Sequence, residues 1–325
     1  MTQFGRISIA ALAVTFVAAP GCTTHAGARN DSAAVTASAN TGATTSATTT
    51  TRDTVAAHEI SYQGDFKGPL GVQLWSFRDL ARTDPVAMMN TAHRMGFTEV
   101  ETAGMYGMTP TQFAAALQKA GLHAASMHVD YEALKNHPDS VIANAKTLGA
   151  KWVGLAWYPH DDKKGFTEAD ARRAIADFNS FGKALEAGGI SFFYHDHGFE
   201  PVKYGNGTLL DLMISRTDPA LVHFEMDALW TWLPGVDPVA LIRKYPGRFK
   251  LMHIKDMKPG VARGSLSGGI PAEQQAPIGE GQVPWPALLS AAQKDGFEYY
   301  FLEDETPDPM VNVPKSIAYL EKLKY

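Results

Sequence analysis

Six pairs of ionisable side chains share one spacing: Glu99 and Glu101, His128 and Asp130, His195 and His197, Glu225 and Asp227, His253 and Lys255, Glu303 and Glu305. Residues i and i+2 of a β-strand point to the same side, so each pair puts two titratable groups on one face. Each pair also ends a short apolar run, as ISFF does before His195 and His197. One such pair is commonly a solvated edge; six at equivalent places imply a shared site. Imidazole and carboxylate donors from separate strands suit one divalent transition ion, Mn, Zn or Co, better than Mg or Ca, which prefer shells of oxygen alone. The expected metal ligands are His195, Asp227, His253 and Glu303, one from each of four successive strands, with positions left open for substrate oxygens. His197 and Lys255 lie two residues beyond a ligand on the same face, placed to orient it or to touch substrate. Glu200 is expected to open the next loop.

To bring these pairs together, eight strands must converge at their C-terminal ends. Eight apolar runs are present, at residues 70–75, 98–102, 123–129, 152–158, 190–195, 222–227, 249–254 and 299–303. Helical patterns with explicit punctuation separate them. TDPVAMMNTAHRMG has a Thr or Asp cap, Pro85 in its first turn and Gly96 as a stop; TPTQFAAALQKAG repeats the design with Thr109, Pro110 and Gly121. Further helices are predicted in TEADARRAIADFNSFGKALEAGG, DPVALIRKY, PWPALLSAAQKDG and VPKSIAYLEKLK, with shorter ones in SVIANAKTLG and GTLLDLMISR. Eight βα units in roughly 260 residues predict an α/β fold, a single closed (β/α)8 TIM barrel with its site at the C-terminal strand ends. An open doubly wound sheet normally carries a Gly-rich phosphate turn after its first strand, and GVQLWSFRD has none.

The N-terminal part reads differently. Arg6 precedes ISIAALAVTFVAA, the length of a secretory apolar core and too short to span a bilayer, which predicts a signal peptide over residues 1–22. The run ends in APGC. Cys22, the one cysteine of the chain, looks like the lipidation site of a bacterial lipoprotein, although Ala19 and Pro20 depart from the usual residues before it; the alternative is plain cleavage into the periplasm. Residues 23–64, rich in Thr, Ser and Ala, are expected to be a disordered linker, and residues 65–325 the barrel. The expected location is the periplasmic face of a bacterial membrane, with the lipid anchor as sole membrane contact, or the soluble periplasm. A formal net charge of −5 with no basic run argues against nucleic acid as a partner.

Several stretches carry a resemblance. FKLMHIKD, VHFEMDALW, YYFLEDE, YHDHGFE and APIGEGQVPW are similar to the last-strand motifs of the xylose isomerase-like TIM barrels, the sugar phosphate isomerase/epimerase group, from about Leu70 to the C-terminus. The resemblance implies one divalent ion, often Mn, held by a Glu, an Asp, a His and a second Glu. It carries Asp227, His253 and Glu303 onto the last three. His195 stands where many members have the first Glu. In the epimerases the two metal-bound glutamates are the opposed acid and base, so here His128, Lys255 or Glu101 would have to join Glu303 in proton transfer, or the reaction is a one-base elimination.

The activity expected is that of a metal-dependent isomerase or epimerase, acting on a non-phosphorylated sugar or keto-sugar by proton abstraction α to a carbonyl. The alternatives are a lyase, dehydratase or hydrolase of 3-keto-glycosides, a non-catalytic sugar-binding lipoprotein, and the endonuclease IV branch, which would need three metals and a basic face. A lysine serves as a base only where burial or cationic neighbours lower its pKa; otherwise Lys255 is a cation paired to Asp256 or Glu225. Trp75, Trp157, Trp230 and Trp232 follow or end strands and could stack on a sugar. Residues 258–284 form a long Gly-rich segment with no helical period, placed over the site.

Overall fold

The computed structural model describes residues 58–325. The predicted signal peptide, Cys22 and most of the predicted linker lie outside them. Eight parallel strands close a barrel: β1 (Leu70–Gln73), β2 (Glu99–Thr102), β3 (His123–Val129), β4 (Trp152–Leu155), β5 (Ser191–His195), β6 (Val222–Asp227), β7 (Phe249–Ile254) and β8 (Tyr299–Leu302), with β8 pairing back onto β1. This is the predicted (β/α)8 architecture. No helix among the described residues is long and apolar enough to cross a membrane.

Local chemistry explains most element limits. The helix Pro110–Ala120 starts with a reciprocal capping box between Thr109 and Gln112 and stops at Gly121, whose φ of 76° is left-handed. The last helix departs from expectation. VPKSIAYLEKLK suggests a start near Pro314, but the helix runs Pro309–Lys322 with Pro314 inside it, because Asp308 caps the amide of Val311 and Pro309 takes the first helical position. Residues 58–64, expected in the linker, instead pack on the barrel: Ser61 N donates to Glu321 Oε1 at 2.8 Å, and the amides of Gln63 and Gly64 both donate to Glu321 O at 2.8 Å.

Alternation along the strands sets the depth of the site. Phe193, Leu251 and Phe301 sit two residues before His195, His253 and Glu303 and join Trp152 and Ala125 in a buried apolar plug inside the barrel. Small residues make room for it: a Cβ at Gly154 would lie 2.2 Å from the Phe193 ring. The polar layer therefore rests on an apolar floor, where charges are poorly screened.

Candidate metal centre

Register decides which of the six pairs meet. β5 lies beside β6 with His195 opposite Glu225, and β6 lies beside β7 with Asp227 opposite His253 after an irregularity between Phe224 and Glu225. Glu101, on β2, pairs with Gln73 of β1 and Ser126 of β3. All of these strand ends face one axial space.

His253, buried, is the hinge of the arrangement. Its Nδ1 lies 3.2 Å from Glu303 Oε2 and 3.8 Å from Asp227 Oδ2. Its Nε2 lies 2.6 Å from Glu101 Oε1 and 3.3 Å from Glu225 Oε2. Asp227, His253 and Glu303 bring one ligand atom each within 4.8 Å of one another. The fit to a cation is specific: Asp227 Oδ1 is used by the amide of Trp230 at 2.8 Å, while Asp227 Oδ2 is buried without a hydrogen-bond partner. Glu101 supplies what a metal-bound histidine needs on its far side, a carboxylate that takes the Nε2 proton and leaves the Nδ1 lone pair free. Gln73 Nε2 (2.7 Å) and Ser126 Oγ hold that carboxylate in turn.

His195 does not join the group of three. It belongs to an adjoining set with His128, Glu225 and His253. Glu225 Oε2 takes His195 Nδ1 at 2.9 Å and His128 Nε2 at 3.1 Å. The four-ligand cage expected from the spacing is thus divided, because the pairing register aims His195 at Glu225. Burial, and then its neighbours His253, His197, His128 and Lys255, hold His195 well below the usual imidazole pKa, so it is neutral and Nε2 is free for an ion approaching from its side.

The proton-transfer candidates separate cleanly. Lys255 is buried with Nζ 3.1 Å from Glu303 Oε2, in contact with Glu305 Oε2, and 4.8 Å from the centre of the Trp230 ring. Burial opposes its charge, but Glu303, Glu305 and Asp227 outweigh burial and raise its pKa, the reverse of what a base needs. Its partners are these two glutamates, neither Asp256 nor Glu225. His128 is pushed up to about 9, since Glu101 and Glu225 outweigh its burial, so it carries a proton at neutral pH. Glu303 is held below the usual carboxylate range: burial acts against this, and Lys255 and His253 overcome it. Glu225 is pushed up to about 7 by burial and by the charge of Glu101.

Other expected residues take different places. Trp75 and Trp157 are exposed at the rim, 39% and 41%. Trp75 donates to Glu305 Oε1 at 2.8 Å, and Trp157 stacks on His160 and meets His197 edge-on. Trp230 is buried, stacked on His197, and Trp232 is taken by the Arg263 guanidinium 3.6 Å from its ring centre; neither offers an open face to a sugar. His197 has Nδ1 buried and unpartnered, and its amide donates to Glu200 at 3.0 Å. Glu200 lies in the loop after β5, as expected, and is there a fully buried brace that also accepts from Tyr194 OH at 2.6 Å. Two residues carry weight without having been assigned a role. Glu225 was named as the i−2 neighbour of Asp227 and as an alternative partner of Lys255, not as the acceptor for two histidines. Asp196 holds the Asp227 amide and Thr231 Oγ1 at 3.0 and 2.9 Å from the opposite face of β5.

Residues 89–323 match the family model described as xylose isomerase-like TIM barrel. The chain belongs to this family. Among curated relatives, an inosose dehydratase of Lacticaseibacillus casei is 25% identical over 195 residues, covering 55% of this chain and 64% of that protein. An inosose dehydratase of Clostridium tetani is 24% identical over 155 residues, 46% of this chain and 51% of that protein. The chain therefore spans only about half to two-thirds of these relatives. A sugar phosphate isomerase/epimerase from Parabacteroides distasonis superposes with a TM-score of 0.64 at 24% identity, covering 79% of this chain and 99% of that one. Family and barrel are established by these likenesses, and the buried imidazoles and carboxylates stand close enough together to hold a metal ion.

Proposed function

We propose that the protein is a divalent-metal-dependent lyase that eliminates water, or another β-substituent, from a non-phosphorylated keto-sugar or keto-polyol after losing the proton α to the carbonyl. The carrying observation is the asymmetry about His253. On its Nδ1 side stands the carboxylate of Glu303; on its Nε2 side lies the imidazolium of His128, stacked on His253 with ring centres 5.5 Å apart and an interplanar angle of 19°. Elimination needs an acceptor for the α-proton and a donor for the departing hydroxyl, the roles Glu303 and His128 fill here, whereas epimerisation needs a base and a proton donor opposed across one carbon.

Asp227, His253 and Glu303 would hold the ion, with His195 on the adjoining side, and when bound it supplies Lewis-acid stabilisation of negative charge developing on substrate oxygens. Glu303 accepts the α-proton. Lys255 keeps that carboxylate ionised and, being engaged by Glu303 and Glu305, is not free to clamp a phosphate. His128, part-exposed at the mouth with 13% of its side chain accessible, returns a proton to the leaving oxygen. The names of the curated relatives support this reading. An isomerase or epimerase is the second reading. Glu225, pushed up to about 7 with Oε1 buried and unpartnered, is the residue that would supply its opposed acid–base group. Export as a lipoprotein anchored through Cys22 completes the proposal.

The test is the metal content of the full chain beside His253→Ala, followed by incubation with keto-sugars and keto-polyols in D2O. One ion per chain, lost in the variant, with product lacking one water, supports the lyase. Deuterium incorporation without loss of water moves the assignment to isomerase. A chain that takes up no Mn, Zn or Co sinks the enzyme reading and leaves a sugar-binding protein.

A further inference from the structure

The segment after β7 carries only one short 3-10 turn, Ala272–Gln274, and the antiparallel pairing of Asp256–Met257 with Gln275–Ala276 before the helix Trp285–Asp295 begins. Loops this long are normally functional or mobile. Here a single side chain ties both ends. Asp256, 1% exposed, accepts through Oδ1 from the amides of Met257 (2.8 Å), Gln282 (3.0 Å) and Val283 (3.0 Å), and through Oδ2 from Trp285 Nε1 (2.7 Å). Four donors thus converge on one carboxylate, three of them on Oδ1. The approach is so close that a Cβ on Gly281 would lie 2.1 Å from the Asp256 carboxylate.

Between those ends the loop reaches the site twice. Gln275 Nε2 donates to Glu305 Oε2 at 3.3 Å, the same carboxylate oxygen that holds Lys255, while Gln275 Oε1 is buried and has no partner. On the other side Gly268 approaches so closely that a Cβ there would lie 3.2 Å from His197 O and 3.3 Å from the Trp157 ring.

We propose that Asp256 is a positioning residue: by joining the two ends of the loop it makes the loop a standing wall of the site and presents Gln275 Oε1 as an acceptor for a substrate hydroxyl. The hydroxyl contact rests on the proposed function; the clamp does not.

Hydrogen exchange by mass spectrometry on the full chain with manganese tests the clamp, comparing wild type with Asp256→Asn and Trp285→Phe. Asn has one accepting oxygen, so it can keep the backbone amides or Trp285 Nε1 but not both, and Phe removes the indole donor alone. Exchange at Lys258 and Gln282, whose amides bond to Gln274 O and Met257 O, should rise about tenfold in Asp256→Asn and less in Trp285→Phe. Strands β7 and β8 should stay unchanged, and manganese affinity should stay within about twofold of wild type, because the candidate ligands stand on barrel strands. Unchanged loop exchange in both variants, or acceleration spread evenly over the barrel, would overturn the clamp. In turnover, Gln275→Ala should lose about tenfold in kcat/KM through KM with the loop still protected; wild-type KM would overturn the hydroxyl contact. A protein that turns over no keto-sugar or keto-polyol removes the proposed function and the hydroxyl contact together, while the exchange result still decides the clamp.

Discussion

Replacing Glu101 by Gln separates two accounts of the metal centre. The change keeps an oxygen that can accept from His253 Nε2, now at 2.6 Å, and removes the negative charge that polarises the ring. Loss of such a supporting carboxylate typically weakens metal binding about 10- to 100-fold, or about 1.4–2.7 kcal/mol. At a manganese concentration of roughly 100 times the wild-type Kd, the ion stabilises the folded protein by about 2.7 kcal/mol; a thirtyfold weaker site retains about 0.9 kcal/mol. The difference corresponds to a metal-induced rise in Tm smaller by about 3 °C for a domain of this size. Calorimetric titration gives Kd, and melts with and without manganese give the shift. The metal-induced shift is the right quantity, since Glu101→Gln also leaves His128 and His253 short of a counter-charge in the metal-free protein. An unchanged Kd and shift would refute the ligation of His253 through Nδ1. Complete loss of the ion would refute it too, because Glu101 would then be a ligand, with the ion on the Nε2 side among His128, His195 and Glu225.

Three further outcomes are expected. Asp177 accepts from Lys135 Nζ at 2.5 Å and from Tyr131 and Tyr158 hydroxyls at 2.8 Å each, and these bonds outweigh its burial and hold its pKa below the usual 3.8. A depressed carboxylate adds stability above its unfolded pKa and loses it as pH falls through the folded value. Asp177→Asn should therefore cost about 1–2 kcal/mol near neutral pH and show a shallower fall in Tm below about pH 4; parallel Tm curves for the two proteins would contradict the assignment. Trp157→Ala should raise KM for a sugar substrate about tenfold while Tm moves by less than about 2 °C, since the ring lies at the rim with 41% exposed; a large Tm loss would make it a packing residue. Expression of the full chain with radiolabelled palmitate should label wild type and leave Cys22→Ser unlabelled, and label retained in the variant would remove the lipoprotein reading.

The barrel was legible because its evidence is local. Apolar runs of strand length, the Thr109 and Gln112 box and the Gly121 stop act within a few residues, and eight repetitions leave one closed architecture. The same locality misled at Pro314, where a cap six residues upstream overrode the proline. At the site, residue types and strand ends could be read. Pairings across strands could not: Lys255 has Asp256 beside it in the chain, yet its partners are Glu303 and Glu305, because β8 is the neighbour of β7 in the barrel.

By itself the amino-acid sequence determined a (β/α)8 barrel and a ring of imidazoles and carboxylates at its C-terminal mouth, since period-two alternation fixes which side chains share a face. Tertiary structure alone decided how that ring divides. Regular pairing of β5 with β6 places His195 against Glu225, and an irregularity between Phe224 and Glu225 in the pairing of β6 with β7 places Asp227 against His253. Burial over an apolar floor then leaves His195 neutral, while the carboxylates beside His128 and Lys255 outweigh burial and keep both cationic. Those two quantities, register and desolvation, depend on contacts between residues far apart in the chain, and no local pattern of residue types encodes them.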